Sequence, residues 1–411
     1  MKKVLLLSSM IFMAYTGIVW GILGVIVKSV ASDMNVTASA VAGSYSFFSL
    51  ASGIVVVLST GLFLQYISLK KLALLACAIP VISAGLFFTT NSLIGFRFIL
   101  LFFGIGFGMC CCLSYYLIVL ASNNKNRASL MAIISFLFGL GTMVTPIAGS
   151  HMLASGINWR YICLIFSAIL VALFMIILFS KFAAEKTGDE TPSETNKLSL
   201  KEEIKTWPFV VYLIALTLMA YMAAEITVIT WLVVYGQVKL NLSIVDAGIL
   251  SSVFWFSVLI GRILTGIVLK KISTEIYIIF VSLFSGICIV VFSLFSMPII
   301  LVYGLVAFMG LGLSALYPVL TAFGTTQIPK ASPRLFTLIV GIGWIGMSVG
   351  PMLTSKIKSL FGLTTVFIVC AALCFVMAIL TVIVKVINYT KNRVKSSNTM
   401  KCTEFDKCQA G

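Results

Sequence analysis

The sequence predicts an all-α integral membrane protein with twelve transmembrane helices in two six-helix bundles. The first reason is composition: 61% of the 411 residues are hydrophobic and only 10% are charged, whereas soluble domains carry about 25% charged residues. The second reason is that apolar runs of about 20 residues, the length needed to cross a bilayer, recur along the whole chain. This composition excludes an ordinary water-soluble enzyme, and the mean hydropathy of +1.15 agrees with that exclusion.

Charged residues, Pro, Gly and Asn separate the apolar runs into twelve predicted spans. Each span is predicted to be helical, because no water in the hydrocarbon core satisfies backbone groups. Met1-Lys2-Lys3 and the run after it resemble a signal peptide, but the run is longer than such a segment, which favours an uncleaved first span. The predicted spans are 4–27, 41–66, 72–89, 95–120, 129–150, 161–180, 208–234, 247–269, 276–296, 299–323, 335–355 and 364–387.

The distribution of Lys and Arg predicts the orientation of the chain. If the amino terminus is cytoplasmic, 21 of the 28 basic residues fall on the cytoplasmic side, six fall on the outer side, and Arg262 lies within a span. This positive-inside bias predicts a multi-pass protein of the inner (plasma) membrane with both termini in the cytoplasm. The net charge of +16 is then spread over short loops that meet anionic lipid, so no nucleic-acid partner is expected.

One long hydrophilic segment divides the spans six and six. It contains five lysines and six acids, and such a mixed-charge segment buries too little apolar surface to fold alone. The predicted domains are an amino-terminal bundle (1–180), a cytoplasmic linker (181–206), a carboxy-terminal bundle (207–388) and a basic cytoplasmic tail (389–411).

The two halves contain similar motifs at corresponding places. Gly61 and Gly261 each stand nine residues before a Lys pair, Lys70-Lys71 and Lys270-Lys271 respectively. The fifth span contains Gly139-x-Gly141 followed by Pro146, and the eleventh contains Gly341-x-Gly343 followed by Pro351. Weak internal symmetry of this kind is typical of secondary transporters, whose substrate site lies near mid-membrane between the repeats.

Several motifs resemble the major facilitator superfamily: Asn158-Trp159-Arg160 opening span six, Tyr221-x3-Glu225-x5-Trp231 in span seven, Trp255-x5-Gly261-Arg262 in span eight, and Gly310-Leu-Gly312 through Tyr317-Pro318 in span ten. More narrowly, the chain is similar to the fucose permease and glucose/mannose symporter branch and to its TsgA-type members. The resemblance implies a non-enzymatic transporter, monomeric by default, in which two bundles rock around a central site lined by spans seven, ten and eleven.

Glu225 is the one acid that the sequence places well within a span. Burial in lipid-like surroundings disfavours a charged carboxyl, so this group can be neutral in one state and charged in another. Tyr221 lies one helical turn away on the same face. Glu225 is therefore the candidate for proton coupling and for binding a polar substrate; the alternative is a protonated Glu that bonds a neighbouring helix for structure.

Arg262 is the other charge predicted to lie deep in the membrane. Counted from the predicted cytoplasmic ends, Glu225 and Arg262 differ in depth by roughly 13 Å, too far for direct pairing between straight helices. Arg262 is predicted to act in a cytoplasmic gate by bonding helix carbonyls or a partner acid, together with Gly261, Gly266, Lys70 and Lys71. The alternative is an Arg side chain that extends to the lipid headgroups.

Aromatic side chains with a polar tip are candidate contacts for a sugar or another ring. We select Tyr221, Tyr317 and Trp344, since spans seven, ten and eleven line the cavity in the family that the chain resembles, although each is also explained by packing. The lone His151 and the Cys110-Cys111-Cys112 run have no companions at metal-ligand spacing, so no metal site is predicted. The other candidates are Tyr15, Trp20, Tyr115, Tyr116 and Trp255.

The expected function is proton-coupled uptake of a small polar solute such as a sugar by alternating access, with the proton gradient as energy source and no cofactor. One alternative is an exporter of drug-like or siderophore-like compounds, which the 12% aromatic content suits equally well. A second alternative is a membrane scaffold or sensor that transports nothing. Short loops argue against a scaffold, because little of the chain projects from the bilayer.

Overall fold

The computed structural model describes residues 2–59, 67–180, 206–328 and 333–409, and within these ranges the chain forms thirteen α-helices. Twelve segments are long and apolar enough to span a membrane, which confirms the predicted all-α fold with twelve transmembrane helices. The helices are α1 Lys2–Asp33, α2 Ala38–Ser59, α3 Leu69–Leu86, α4 Leu93–Ala121, α5 Asn124–Ala154, α6 Trp159–Phe179, α7 Phe209–Lys239, α8 Ile244–Val268, α9 Thr274–Leu294, α10 Ile299–Leu313, α11 Leu316–Thr325, α12 Pro333–Phe361 and α13 Leu363–Gln409.

Polar residues at the predicted boundaries start several of these helices. Ser92, Asn158, Ser243 and Ser273 each accept a hydrogen bond from a backbone N–H in the first turn of the helix that follows. Such a cap satisfies one of the four donors that a helix start leaves without a partner. The local sequence therefore fixes where α4, α6, α8 and α9 begin.

Several helices differ from their predicted spans; α7 reaches Lys239 and α12 reaches Phe361, past the predicted ends at 234 and 355. α1 runs to Asp33, past the predicted end at residue 27, and α13 continues to Gln409 through the segment predicted as a tail. The tenth span consists of two helices, α10 and α11, separated at Ser314 and Ala315. Two predicted features lie outside the described residues: Gly61 and the linker up to residue 205.

The two halves have related architectures. In the first half α1 packs against α4, α5 and α6, and in the second half α7 packs against α11, α12 and α13. Residues with positive φ occur in matching pairs: Asn35 and Asn241 follow α1 and α7, while Gly156 and Gly362 follow α5 and α12. Both pairs are 206 residues apart. The internal repeat seen in the sequence is therefore also a structural repeat.

The halves meet through α2 with α12, α5 with α8, and α1 with α7. We call the side from which α1 starts the near side, which the basic residues predict to be cytoplasmic, and the opposite side the far side. Several close approaches between the halves are on the far side: Ser355 of α12 donates a hydrogen bond to the carbonyl of Ser39, and Gly24 of α1 faces the carbonyl of Ile229. The structure thus has the two halves packed together at the far side.

A buried arginine holds the far side of the first half together. Arg160 is 8% exposed and pairs with Asp33 at the end of α1. Its guanidinium also donates to the carbonyls of Phe87 and Thr90, at 2.7 and 2.9 Å, and to the side chain of Asn91 at 2.8 Å. Because these acceptors come from α1 and from the α3–α4 connection, Arg160 fixes three parts of the first half to one another.

Candidate functional site

The candidate site is centred on Glu225, which lies in the middle of α7 with its side chain partly exposed. Its neighbours Ala224 and Ile226 are buried, so the exposure is restricted to one face of the helix. Tyr221, one turn earlier, is fully buried, and its phenol interacts with the Glu225 carboxyl. The i, i+4 spacing on α7 therefore places a phenol against a carboxyl inside the bundle.

Side chains from two more helices approach Glu225. Arg262 of α8 and Tyr317 of α11 both interact electrostatically with the carboxyl. Among the described residues the ion pair within 4 Å is that of Arg160 with Asp33, so Arg262 lies near Glu225 without pairing with it directly. Because the guanidinium is near the carboxyl but not bonded to it, Glu225 can still bind and release a proton.

The first half contributes the other wall of this cluster. Tyr115 of α4 is 41% exposed, interacts with Arg262 and Tyr317, and lies near Ser135 of α5. The Arg262 guanidinium lies over the ring of Phe138, 5.5 Å from its centroid. Both halves thus meet at the central cluster, which we define as Cys111, Cys112, Tyr115, Tyr221, Glu225, Arg262 and Tyr317.

The break between α10 and α11 lies beside this cluster. Proline has no N–H, and its ring clashes with the carbonyl four residues earlier; Pro318 therefore leaves the Ser314 carbonyl without a partner in its own helix. Arg262 Nε donates to that carbonyl at 3.2 Å. The Tyr221 hydroxyl donates to the neighbouring Leu313 carbonyl, also at 3.2 Å.

Gly261 provides the space for these contacts. A Cβ at position 261 would collide with the Ser314 side chain. The Tyr277 hydroxyl of α9 adds a contact to Ser314 and lies 2.5 Å from Thr265 Oγ1. The break is thus stabilised by groups from α7, α8 and α9, which replace the intrahelical bonds that Pro318 removes.

Trp344 lies at a different contact between the halves. Its side chain is 8% exposed and packs against Gly53 of α2, where a Cβ would stand 2.9 Å from the Trp344 Cβ. The indole Nε1 has no hydrogen-bond partner among the described residues. A buried donor without a partner costs about 1–3 kcal/mol, so a polar ligand atom would stabilise it.

The remaining candidates for the gate occupy separate places. The Lys70 ammonium bonds the carbonyls of Leu178 and Ser180 at 2.9 and 3.0 Å, which ties the start of α3 to the end of α6 within the first half. Lys71 is exposed. A Cβ on Gly266 would meet nothing within 4 Å. A gating role for these three residues stays a prediction.

Sequence reasoning does not select the residues that the first half adds to the site. Tyr115 is there only one of eight aromatic candidates, and Cys111 and Cys112 are considered only as part of a cysteine run without companions at metal-ligand spacing. The position of span four opposite span ten in the repeat is the signal that favours Tyr115. The described residues contain no cluster of three His, Cys, Asp or Glu side chains that could hold a metal ion.

Two solved transporters have a similar fold. The nucleoside transporter NupG matches with a TM-score of 0.76 at 14% identity, covering 92% of this chain and 99% of that one. The transporter FucP in its outward conformation matches with a TM-score of 0.63 at 12% identity, covering 93% of this chain and 98% of that one. These likenesses show the fold.

Relatives in sequence include TsgA homologues. The Protein TsgA homolog of Buchnera aphidicola subsp. Acyrthosiphon pisum (strain Tuc7) is 25% identical over 85% of this chain and 88% of its own length. That of Yersinia pestis (strain Pestoides F) is 24% identical over 88% of this chain and 93% of its own length. The family model that describes the Major Facilitator Superfamily matches residues 6–332. The chain therefore belongs to the Major Facilitator Superfamily, and it is a multi-pass membrane transporter and not an enzyme.

Proposed function

We propose that this transporter takes up a small, polar, uncharged solute together with protons, and that Glu225 binds the coupled proton. The observation that carries the proposal is the position of Glu225: a partly exposed carboxyl in the middle of α7, beside Tyr221 and near Arg262. A carboxyl in such surroundings changes charge with modest changes in its environment. Exposure of the group to one side of the membrane and then to the other would link its protonation to transport.

A neutral polar substrate suits the chemistry of the cluster. Tyr115 and Tyr317 supply hydroxyls that donate and accept hydrogen bonds, and their rings supply flat apolar faces. Trp344 Nε1 supplies a further buried donor, which has no partner among the described residues. A sugar or a nucleoside has both hydroxyls and apolar ring surfaces, and the nucleoside transporter NupG shares this fold.

The test begins with a search for a ligand. Purified protein is heated with a panel of sugars, nucleosides and other neutral metabolites at two pH values, since a ligand that binds the folded state raises the melting temperature by mass action. Compounds that stabilise the protein are then supplied, radiolabelled, to proteoliposomes with an imposed proton gradient.

In these proteoliposomes we expect the native chain to accumulate the solute and Glu225→Gln to lose accumulation while keeping exchange of internal for external solute. Exchange survives because it needs no net proton movement. The matched control is Glu275→Gln, which changes the same chemical group in the first turn of α9, and it should accumulate solute normally. Accumulation by Glu225→Gln at the native rate would refute the proposal. Efflux of drug-like compounds that is independent of the gradient would favour an exporter instead.

A further inference from the structure

We infer that Tyr221 transmits the protonation state of Glu225 to the break between α10 and α11, so that the break is held to α7 when Glu225 is protonated and released when it is ionised. The inference deepens the proposed function and rests on Glu225 as the group that binds the proton. It assigns to Tyr221 a positioning role distinct from substrate binding.

Tyr221 has one hydroxyl proton and two acceptors. The hydroxyl donates to the Leu313 carbonyl at 3.2 Å, and the Glu225 carboxyl, one turn later on the same face of α7, is the second acceptor within its reach. A phenol donates one hydrogen bond at a time, although its oxygen can accept another. The two partners of Tyr221 therefore cannot both receive its proton.

The protonation state of Glu225 decides which partner receives that proton. A carboxylate accepts charge-assisted hydrogen bonds, which are roughly twice as strong as neutral ones. Ionised Glu225 thus draws the Tyr221 proton, and the Leu313 carbonyl loses its donor. Protonated Glu225 instead donates its own O–H to the Tyr221 oxygen, which leaves the Tyr221 proton on the Leu313 carbonyl. One proton is bound in this exchange, and no covalent bond other than O–H changes.

The Leu313 carbonyl, which accepts the Tyr221 hydrogen bond, lies where the tenth span is interrupted. Leu313 ends α10, and Pro318 prevents a continuous helix there. The Arg262 bond to the Ser314 carbonyl uses neither Tyr221 nor Glu225. Loss of the Tyr221 bond therefore removes one of the donors that stabilise the break and lets α11 move relative to α7.

Other ionisable groups near Glu225 modulate this exchange without replacing it. Arg262 from α8 and Tyr317 from α11 interact with the carboxyl through space. From α13, the Cys370 thiol donates to the Ala224 carbonyl at 3.5 Å, and Tyr15 of α1 is bonded to Ser167. The charged residues of α1 and α12 lie toward the two ends of those helices: Lys2, Lys3, Lys28, Asp33, Arg334, Lys356 and Lys358.

Hydrogen–deuterium exchange of the full-length protein in lipid nanodiscs tests the inference. Protection of the peptide that spans residues 311–320 is measured at about pH 5 and about pH 9, which bracket carboxyl ionisation in many buried sites, with labelling times scaled for the chemical effect of pH. In the native chain we expect protection at low pH and a several-fold loss at high pH. Glu225→Gln should stay protected at both pH values, because its amide donates to Tyr221 as the protonated acid does.

Tyr221→Phe should show the low protection at both pH values, since it lacks the proton that reaches Leu313. The matched control is Tyr235→Phe on the same helix: the Tyr235 hydroxyl lies 3.5 and 3.4 Å from the carbonyls of Phe292 and Ser293, and its bonds go to carbonyls rather than to a carboxyl. That control should keep the native pH dependence. If Tyr221→Phe does not fold, the pH dependence of protection in the native chain and in Glu225→Gln still tests the inference.

Two results would overturn the inference: protection that does not change with pH in the native chain, or native pH dependence in Tyr221→Phe. Its failure is distinguishable from failure of the proposed function. Loss of proton-driven uptake in Glu225→Gln, together with pH-independent protection at 311–320, would leave Glu225 as the proton site and remove only the role of Tyr221.

Discussion

Tyr15 in α1 and Tyr221 in α7 are 206 residues apart, the separation that also relates the paired positive-φ residues of the two halves. Their surroundings differ. Tyr15 is paired with the Ser167 hydroxyl at 3.2 Å, and the position one turn later holds the apolar Val19. Tyr221 has Glu225 at the equivalent position. The same architectural place thus holds a contact between two hydroxyls in the first half and a phenol beside a carboxyl in the second.

The arginines show the same division. Arg160 is saturated by a carboxylate, two carbonyls and an amide oxygen. Arg262 has its Nε on a carbonyl of a broken helix and its charge partly exposed over Phe138. The fourth span, α4, is one continuous helix, whereas its counterpart is divided into α10 and α11. The buried arginine of the first half is thus held by several acceptors at once, while side chains with alternative partners within reach are concentrated in the second half.

The largest effect expected from this comparison is on the stability of the first half. Arg160→Met should lower the free energy of unfolding by about 3 kcal/mol, because it removes the donor from the Phe87 and Thr90 carbonyls and from Asn91. The exposed Asp33 keeps the hydrogen bond from Trp159 Nε1. Unfolding in mixed micelles with increasing SDS, followed by tryptophan fluorescence, measures the change. The control Arg97→Met removes a single 3.2 Å bond to Ser44 and should cost about 1 kcal/mol. Equal effects of the two changes would contradict the view of Arg160 as a fixed point.

Substitution of two glycines of α1 distinguishes the stability of the first half from the stability of the contact between the halves. Gly17 faces the Phe138 carbonyl within the first half, and Gly24 faces the Ile229 carbonyl of the second. Overpacking costs about 1–3 kcal/mol. Gly17→Ala should therefore destabilise every conformation. Gly24→Ala should penalise only the conformation with the far side closed, and should shift the population away from it by about fivefold to 150-fold.

Electron–electron distance measurements between spin labels at Ser32 and Lys239, on the far ends of α1 and α7, report that shift. Labels carried by noncanonical amino acids leave the ten native cysteines in place. Gly24→Ala should lengthen the distance, while Gly17→Ala should lower the melting temperature with the distance unchanged. Gly304→Ala, where a Cβ meets nothing within 4 Å, is the control for both. A longer distance in Gly17→Ala would show that the two contacts do not act separately.

The spans could be predicted from the sequence because the constraint that lipid places on a helix is local: about 20 apolar residues suffice to satisfy it. The break in the tenth span could not. Pro80, Pro146 and Pro351 lie inside continuous helices, so a proline alone does not predict a break. At Pro318 the donors from Tyr221 and Arg262 stabilise the freed carbonyls, and those donors arrive from other helices.

The candidate site also contains one contact that the sequence predicts and one that it does not. The contact of Tyr221 with Glu225 follows from i, i+4 spacing on one helix, which the sequence states directly. The approach of Tyr115 to Arg262 and Tyr317 depends on how α4 and α5 pack across the bundle interface against α8 and α11. Packing angles between halves are set by many small contacts together, and a hydropathy pattern does not encode them.

The smallest expected effect is that of Tyr15→Phe, which compares the equivalent tyrosines of the two halves directly. Tyr15→Phe removes a buried hydroxyl bond and should cost about 0.5–1.5 kcal/mol of stability, with no change in how the transport rate depends on pH. Transport rates in proteoliposomes across a series of pH values, with unfolding measured in parallel, test this. Val19 has no titratable group, so removal of the Tyr15 hydroxyl breaks no link to a proton-binding residue. The same change at Tyr221 removes the hydroxyl that lies between the Glu225 carboxyl and the Leu313 carbonyl. An altered pH profile in Tyr15→Phe would mean that proton sensitivity is shared by both halves and is not confined to α7.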